Sequence, residues 1–484
     1  MPYSVTDLIR FYNSPFSYWC YKTNKLVEEK KINEKYKISI NQTNLISPQL
    51  LKKAEEHEII LKDRFRITEK LNLVDMSNKQ STNETLVSVI SKKPDVIFQP
   101  YIETDDLVGR LDFIRVLKNT LEIIDAKLSF SVKENHLIQL CAYKEILENV
   151  TGIETNKASL FLGDLELHSI DLEDIFSTYI EIKNKFIKFN NEYDENTAPF
   201  PKKGEDLKEF DVEAKKIWKE EGSLEQIYRI QEKQIEKLKD NGIYSISELK
   251  NTKLEKIEGI GNDTFNKYKK FANLLAKSSD EEINYEIKDK SLYGLLPQNK
   301  GDLYIDFEGY PFLDLKRNFE YLYGIWFLNE KENFEYFWSD NEDEEEESFV
   351  DFINYLLNHL KSYPEAKFYH YFSYEITSLK KSSEHFNKYE SEVRELIESN
   401  HFVDLFKIVN SSLLIGASSY SLKTVEKLAG IKRTEDLQSG MESIKSFEEY
   451  YFNEEYDLKD SIIDYNKADC RNLYLLHEWL VTLL

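Results

Sequence analysis

The chain has 484 residues, a formal net charge of -24, 41% hydrophobic residues and 13% aromatic residues. That length exceeds one ordinary core, and the apolar content is enough for two large packed domains with a connector. Abundant Tyr and Phe against only 15 Gly and 10 Pro argue against long disordered linkers, while the acidity argues against a generic nucleic-acid coat, which needs Lys and Arg to release phosphate counterions.

The first residues, MPYSVTDLIRFYN, lack the basic stretch and apolar core of a signal peptide, and no apolar run is long enough to span a bilayer. Cys20, Cys141 and Cys470 lie far apart, so neither a disulfide framework nor a CxxC metal site is indicated. The expectation is a reducing cytoplasm and no membrane partner. Residues 3–30 and 49–66 carry helical spacing. From about residue 95 the texture changes to three strand-like runs, DVIFQPYI, LVGRLDFIRVL and TLEIIDAKLSF, followed by the helical HLIQLCAYKEILENV. These make a compact α/β domain over 1–175. Residues 176–230 are charged and helical in pattern and read as a connector. Residues 231–280 hold two short helical segments around the turn EGIGND. A second α/β domain occupies 290–484, starting with the strand-like DLYIDFEGYPF, and its acidic run Asp340–Glu347 reads as a solvated loop.

Two constellations carry chemistry. On a strand, Asp125 and Lys127 are two apart and share a face, and a turn from the preceding strand brings Asp112 beside them. Two carboxylates and an ammonium on one face suit a divalent ion that binds phosphate oxygen and activates water, with Lys127 steadying the developing charge. Gln139 and Tyr143, four apart, share a face of the following helix, and His57 on the earlier helix is a candidate further ligand. In the second domain Asp306 and Glu308 share a strand face while Phe307 points to the core. Tyr465 and Asp469 are one helical turn apart near the end, and Glu375 follows a short aromatic strand. These four acids suit two cations, with Tyr465 orienting the attacking water or accepting its proton. Carboxylate sites of this kind are compatible with an acidic nuclease.

The strings SVTDLIRFYNSPFSYW, AEEHE, VGRLDFI, IIDAKLS and QLCAYKEIL resemble the RecB-like branch of the PD-(D/E)XK nucleases. The resemblance implies a restriction-endonuclease-like fold and Mg²⁺- or Mn²⁺-dependent cleavage of DNA. It maps His57, Asp112, Asp125 and Lys127 to the metal and catalytic set, and Gln139 and Tyr143 to the supporting helix motif. Many relatives carry a Cys before the Pro of the first helix and further cysteines after the core. Here Ser14 precedes Pro15 and 176–230 has no Cys, which argues against a four-ligand iron–sulfur cluster.

The run Leu254–Gly261 resembles a helix-hairpin-helix, in which Gly259 and Gly261 permit a tight turn facing phosphate and Lys267 follows on the second helix. The same turn serves equally as a hairpin that packs two domains together. IDFEG, YHYFSYE and YNKADC resemble the motifs of DEDD exonucleases on an RNase H-like fold, in the YprB-type form. They carry over Asp306, Glu308, Asp469 and Tyr465, with Glu375 where the wider class has Asp; Asp404 reads as structural. The order of the three parts resembles a group of prokaryotic RecB-like nucleases over nearly the whole chain. It implies a DNA nuclease with two centres, the second a 3′-to-5′ exonuclease. Gly416–Lys423 lacks the second Gly of a phosphate loop, so a helicase would be a separate partner. An RNA exonuclease and a scaffold with one or both centres inactive remain open at this point.

Overall fold

The computed structural model describes residues 2–45, 47–78, 81–155, 157–279, 281–314, 316–437 and 439–483. The chain divides into two compact units, Met1–Lys215 and Lys216–Leu484, so the stretch 176–230 is shared between them.

The first unit opens with helices α1 (Val5–Asn13) and α2 (Pro15–Glu28). The Ser4 and Ser14 hydroxyls cap them, accepting from the amides of Asp7 and Ser17, and Pro15 fits the first helical turn, where an N–H has no partner to lose. After α3 (Pro48–Asp63), a six-stranded sheet runs in chain order: β1 (Leu73–Asp75), β2 (Val96–Phe98), β3 (Phe113–Val116), β4 (Leu121–Ala126), β5 (Lys157–Phe161) and β6 (Leu167–Ile170). β4 pairs antiparallel to β3 and parallel to β5. Strand alternation sorts the faces. Ile123 joins a core with Ile138 and Leu147 of α4 (Glu134–Thr151), while Ile124 joins Leu61, Phe65, Phe113 and Phe161 on the side of α3. Helix α5 (Glu173–Asn191) adds Tyr179 and Phe186 to the first of these cores.

Two of the three strand-like runs are broken in the fold. DVIFQPYI divides at Gln99–Pro100, where Gln99 is left-handed (φ 47°) and Pro100 offers no N–H to a ladder. LVGRLDFIRVL divides at Leu111–Asp112. Its first half, Leu107–Arg110, belongs to a separate three-stranded sheet with Tyr3–Ser4 and Tyr101–Glu103. Asp112 therefore stands where the chain passes from one sheet to the other.

In the second unit, α6 (Glu232–Asp240), α7 (Ile246–Asn251) and α8 (Asn262–Leu275) enclose a small core that includes Ile235, Leu249, Ile260 and Phe265. The larger sheet has β7 (Leu303–Tyr310), β8 (Phe319–Leu328), β9 (Glu332–Trp338), β10 (Phe368–His370) and β11 (Phe402–Asp404) in the order β9-β8-β7-β10-β11. β7 to β9 are antiparallel; β10 and β11 run parallel to β7. On one face Phe307 packs with Phe349 and Phe352 of α9 (Glu342–Ser362). On the other, Tyr304 and Trp326 pack with Leu473 and Leu476 of the long final helix α14 (Leu458–Val481), which follows α13 (Gly440–Asn453).

The acidic run is not a loop. Residues 342–347 form the start of α9 behind an Asn341 cap. Carboxylates are favoured at a helix N-terminus, where unpaired amides carry partial positive charge. One of them, Glu345, is fully buried and grips Arg317, with Nη2 2.7 Å from Oε2.

Candidate functional site

The first carboxylate group lies at the end of β4. Asp112, at the crossing between sheets, accepts a hydrogen bond on Oδ2 from the Ala126 amide at 2.7 Å, which ties it to the strand carrying Asp125. Lys127 Nζ is 2.6 Å from Asp125 Oδ2, and the Asp125 side chain is only 2% exposed. From α4, Gln139 Nε2 lies 3.4 Å from Asp125 Oδ1 and 3.2 Å from the Tyr143 hydroxyl, and that hydroxyl donates to the Arg110 carbonyl. Gly109 makes room for the ring, since a Cβ there would meet Tyr143 Cε1 at 2.7 Å. The structure thus brings Asp112, Asp125, Lys127, Gln139 and Tyr143 together.

His57 reaches the edge of this group, sharing an acceptor with the Lys127 amide, which donates to the Phe161 carbonyl at 2.8 Å. Its ring stacks on Phe161 at 4.5 Å and Nε2 lies 3.1 Å from the Phe161 carbonyl oxygen, while burial lowers its pKa. The next residue on α3, Glu58, is the one whose charge reaches the group. It contributes to raising Asp112, after burial and Asp125, and its own carboxyl is raised by burial and then by Asp125. Burial would depress the Lys127 ammonium, but Asp125, Asp112 and Glu58 outweigh it and hold the pKa up. Sequence reading missed Glu58 because His is the more conspicuous ligand type. One residue along a helix turns a side chain by about 100°.

The second group has a different balance of charge. Asp306 and Glu308 project from β7, Asp469 from α14, and one oxygen of each lies within 4.8 Å of the others. Burial raises Asp306 well above the usual carboxylate range, and Asp469, Glu308 and Glu375 add to it. Glu308 is raised to about 8 by burial and then by Asp469. Burial also raises Asp469, against the pull of Arg433, whose Nη2 lies 2.5 Å from Asp469 Oδ1. Tyr465 stands one turn before Asp469; burial and the Asp469 charge push the phenol well above its ordinary value. Glu375 begins α10 (Tyr374–Phe386), but its Oε2 lies 3.2 Å from His370 Nδ1 and it is outside the group of three. Asp404 caps α11 (Leu405–Ser412), accepting from the Phe406 amide at 3.0 Å.

Several residues that build this site were not read from the sequence. Asn466 Nδ2 donates to Asp306 Oδ2 at 2.9 Å and to its carbonyl at 3.0 Å, fixing β7 against α14. Gly324, opposite Asp306 across the β7–β8 ladder, permits that approach; a Cβ there would stand 1.7 Å from Asn466 Oδ1. Arg433 is held on its other side by Glu426 of α12 (Leu422–Leu428), with Nε 2.8 Å from Oε2. Gly430, left-handed at φ 71°, turns the chain back so that residues 426 and 433 meet. YxxxD was visible as a helical pair, whereas Asn466 and Arg433 had no local pattern to betray them.

The donor set fits a hard divalent cation. All three converging groups are carboxylates, they repel one another, and the nearby Cys470 thiol is turned to Asn466 Oδ1 instead. In the helical segment, Gly259 is left-handed at φ 76° with its carbonyl bound by Lys237 Nζ at 2.8 Å, Gly261 caps α8, and Lys267 is exposed on that helix. No helix among the described residues is long and apolar enough to cross a membrane.

Residues 303–481 match the family model of the RNase H superfamily, so the second unit carries an RNase H-like domain of nuclease type. No curated protein matches the chain. A solved structure described as the crystal structure of SSO0001 aligns at 17% identity over 39% of this chain and 76% of that one, with a TM-score of 0.18.

Proposed function

We propose that the chain is a Mg²⁺- or Mn²⁺-dependent DNA nuclease with two centres, an exonuclease acting 3′ to 5′ in residues 290–484 and a PD-(D/E)XK-type centre in residues 1–175. The observation that carries this reading is the converging trio Asp306, Glu308 and Asp469, the last two buried, inside a domain matched by the RNase H superfamily. Three like charges held this close are costly without cations. A divalent ion bound there supplies charge neutralisation for a phosphate and lowers the pKa of water.

The chain's own residues do the rest. Asp306 and Glu308 present ligands from a rigid strand, and Asn466 locks the Asp306 carboxylate in direction. Tyr465, with its phenol raised, stays protonated at neutral pH and acts as a hydrogen-bond donor that orients a nucleophile. In the first centre, Asp112 and Asp125 are the ligands, Lys127 supports the developing charge, and Gln139 and Tyr143 hold Asp125 and the strand before it. The segment 231–280, with Gly259, Gly261 and Lys267, contacts the nucleic-acid backbone, and 176–230 connects the two centres. Any helicase that works with it would be a separate partner, and the cytoplasm is the compartment.

The test is cleavage of linear single- and double-stranded DNA by full-length protein with Mg²⁺ and Mn²⁺, against Asp306→Ala and Asp125→Ala. Each substitution should remove a distinct activity. Absence of any cleavage across metals and substrates, or activity indifferent to both substitutions, rejects the reading. Matched RNA oligonucleotides decide the polymer.

A further inference from the structure

Beside the carboxylate trio lie two cations that no role above uses to the full. Lys423 sits in the first turn of α12, inside the run that fails as a phosphate loop, and its Nζ lies 5.4 Å from the centre of the Tyr465 ring. Arg433 lies 5.8 Å from the centre of the same ring. The Arg433 side chain is 9% exposed, with Nε and Nη2 committed to Glu426 and Nη2 also to Asp469. Its remaining arm, Nη1, is buried without a hydrogen-bond partner among the described residues, and so is Lys423 Nζ.

Buried cationic donors left unmatched are unfavourable, and a catalytic role or a bound ion is among the reasons a protein keeps them. Both cations lie beside the trio, Arg433 against Asp469 and Lys423 against the Tyr465 ring. Asp469 is both a member of the trio and a partner of Arg433, and the Tyr465 ring has both cations near it. An ammonium and one free guanidinium edge can take separate non-bridging oxygens of one phosphate.

We propose that Lys423 Nζ and Arg433 Nη1 together anchor the reacting phosphate of a nucleotide against the Asp306–Glu308–Asp469 centre. This rests on the reading of that centre as a nucleotide phosphodiesterase. Arg433 has two tasks, holding Asp469 through Nη2 and receiving the substrate through Nη1. Lys423 has only the second, which makes it the cleaner probe.

The experiment uses the full chain carrying Asp125→Ala, which silences the first centre, and calorimetric titration with thymidine 5′-monophosphate or thymidine in saturating Mn²⁺. The parent should prefer the monophosphate by about tenfold or more. Lys423→Met, which keeps the aliphatic stem over Tyr465, should erase most of that preference while Mn²⁺ affinity stays within about twofold, and Lys423→Arg should restore it. A purely structural Lys423 would shift melting temperature or Mn²⁺ affinity without closing the gap between the two ligands. A gap unchanged in Lys423→Met, with Mn²⁺ bound as in the parent, overturns the anchor alone. Should Lys423→Met fail to fold, the parent decides: equal affinity for thymidine and its monophosphate overturns the anchor. If adding Asp306→Asn leaves Mn²⁺ binding unaltered, the reading of the centre falls and the anchor with it.

Discussion

The two carboxylate groups solve the same electrostatic problem in opposite ways. In the first unit the charge is partly balanced from within, because Lys127 sits 2.6 Å from Asp125 and the ammonium is held in its charged form. In the second, three carboxylates converge, and the contact a cation makes with them is from Arg433 to Asp469, leaving Asp306 and Glu308 raised towards neutrality. The first site keeps a residual strain, since Asp112 and Glu58 are still raised despite Lys127. The second is strained until a cation arrives, so its stability and its function should be linked to metal far more tightly.

The largest effect that bears on this contrast is in catalysis. Asp306→Asn should lower the exonuclease activity by roughly 10³-fold or more and leave the first centre's activity in place. The same substitution should raise the melting temperature of metal-free protein, since it removes one of three repelling charges. Lys127→Met should do the reverse. It strands Asp125 without its cation and should cost about 3 kcal/mol of stability, at the low end for a broken buried pair because the lysine is partly exposed. If both substitutions move stability in the same direction, the contrast is wrong.

A pH titration gives a smaller but more specific signal. Burial, followed by Asp469, raises the Glu308 carboxyl from 4.5 to about 8. Between those values the unfolded chain has already lost the proton that the folded chain keeps. Metal-free stability should therefore fall as pH rises from about 4.5 to about 8, and Mn²⁺ should restore it most at the upper end. Thermal melts at pH 5 and pH 8, with Mn²⁺ and with chelator, read this directly; a metal effect equal at both pH values contradicts it.

The smallest expected effect separates neighbouring residues in the first unit. Glu58→Gln should weaken Mn²⁺ binding at the first centre by about fivefold, through a lost carboxylate charge near Asp112. His57→Phe, whose ring can keep the stack on Phe161, should alter it by less than about twofold. Equal losses from both would return His57 to the ligand set.

Much of each site was legible in the chain because it follows local periodicity. Alternation along a strand places Asp306 with Glu308 and Asp125 with Lys127, and a helical turn joins Tyr465 to Asp469 and Gln139 to Tyr143. The acidic run at 340–347 was misread for the same reason in reverse. A string of like charges has no period, and only the Asn341 cap and the distant Arg317 turn it into a helix start with a buried glutamate.

What the sequence determined by itself was therefore the set of chemical groups and the faces they share within single elements, since backbone geometry dictates those over two to four residues. Tertiary structure alone decided which groups meet: Glu58 beside Asp112 at the first site, Asn466 through the gap left by Gly324, and Arg433 between Glu426 and Asp469. Those meetings depend on how whole elements pack across tens or hundreds of residues, and no repeat along the chain encodes that distance.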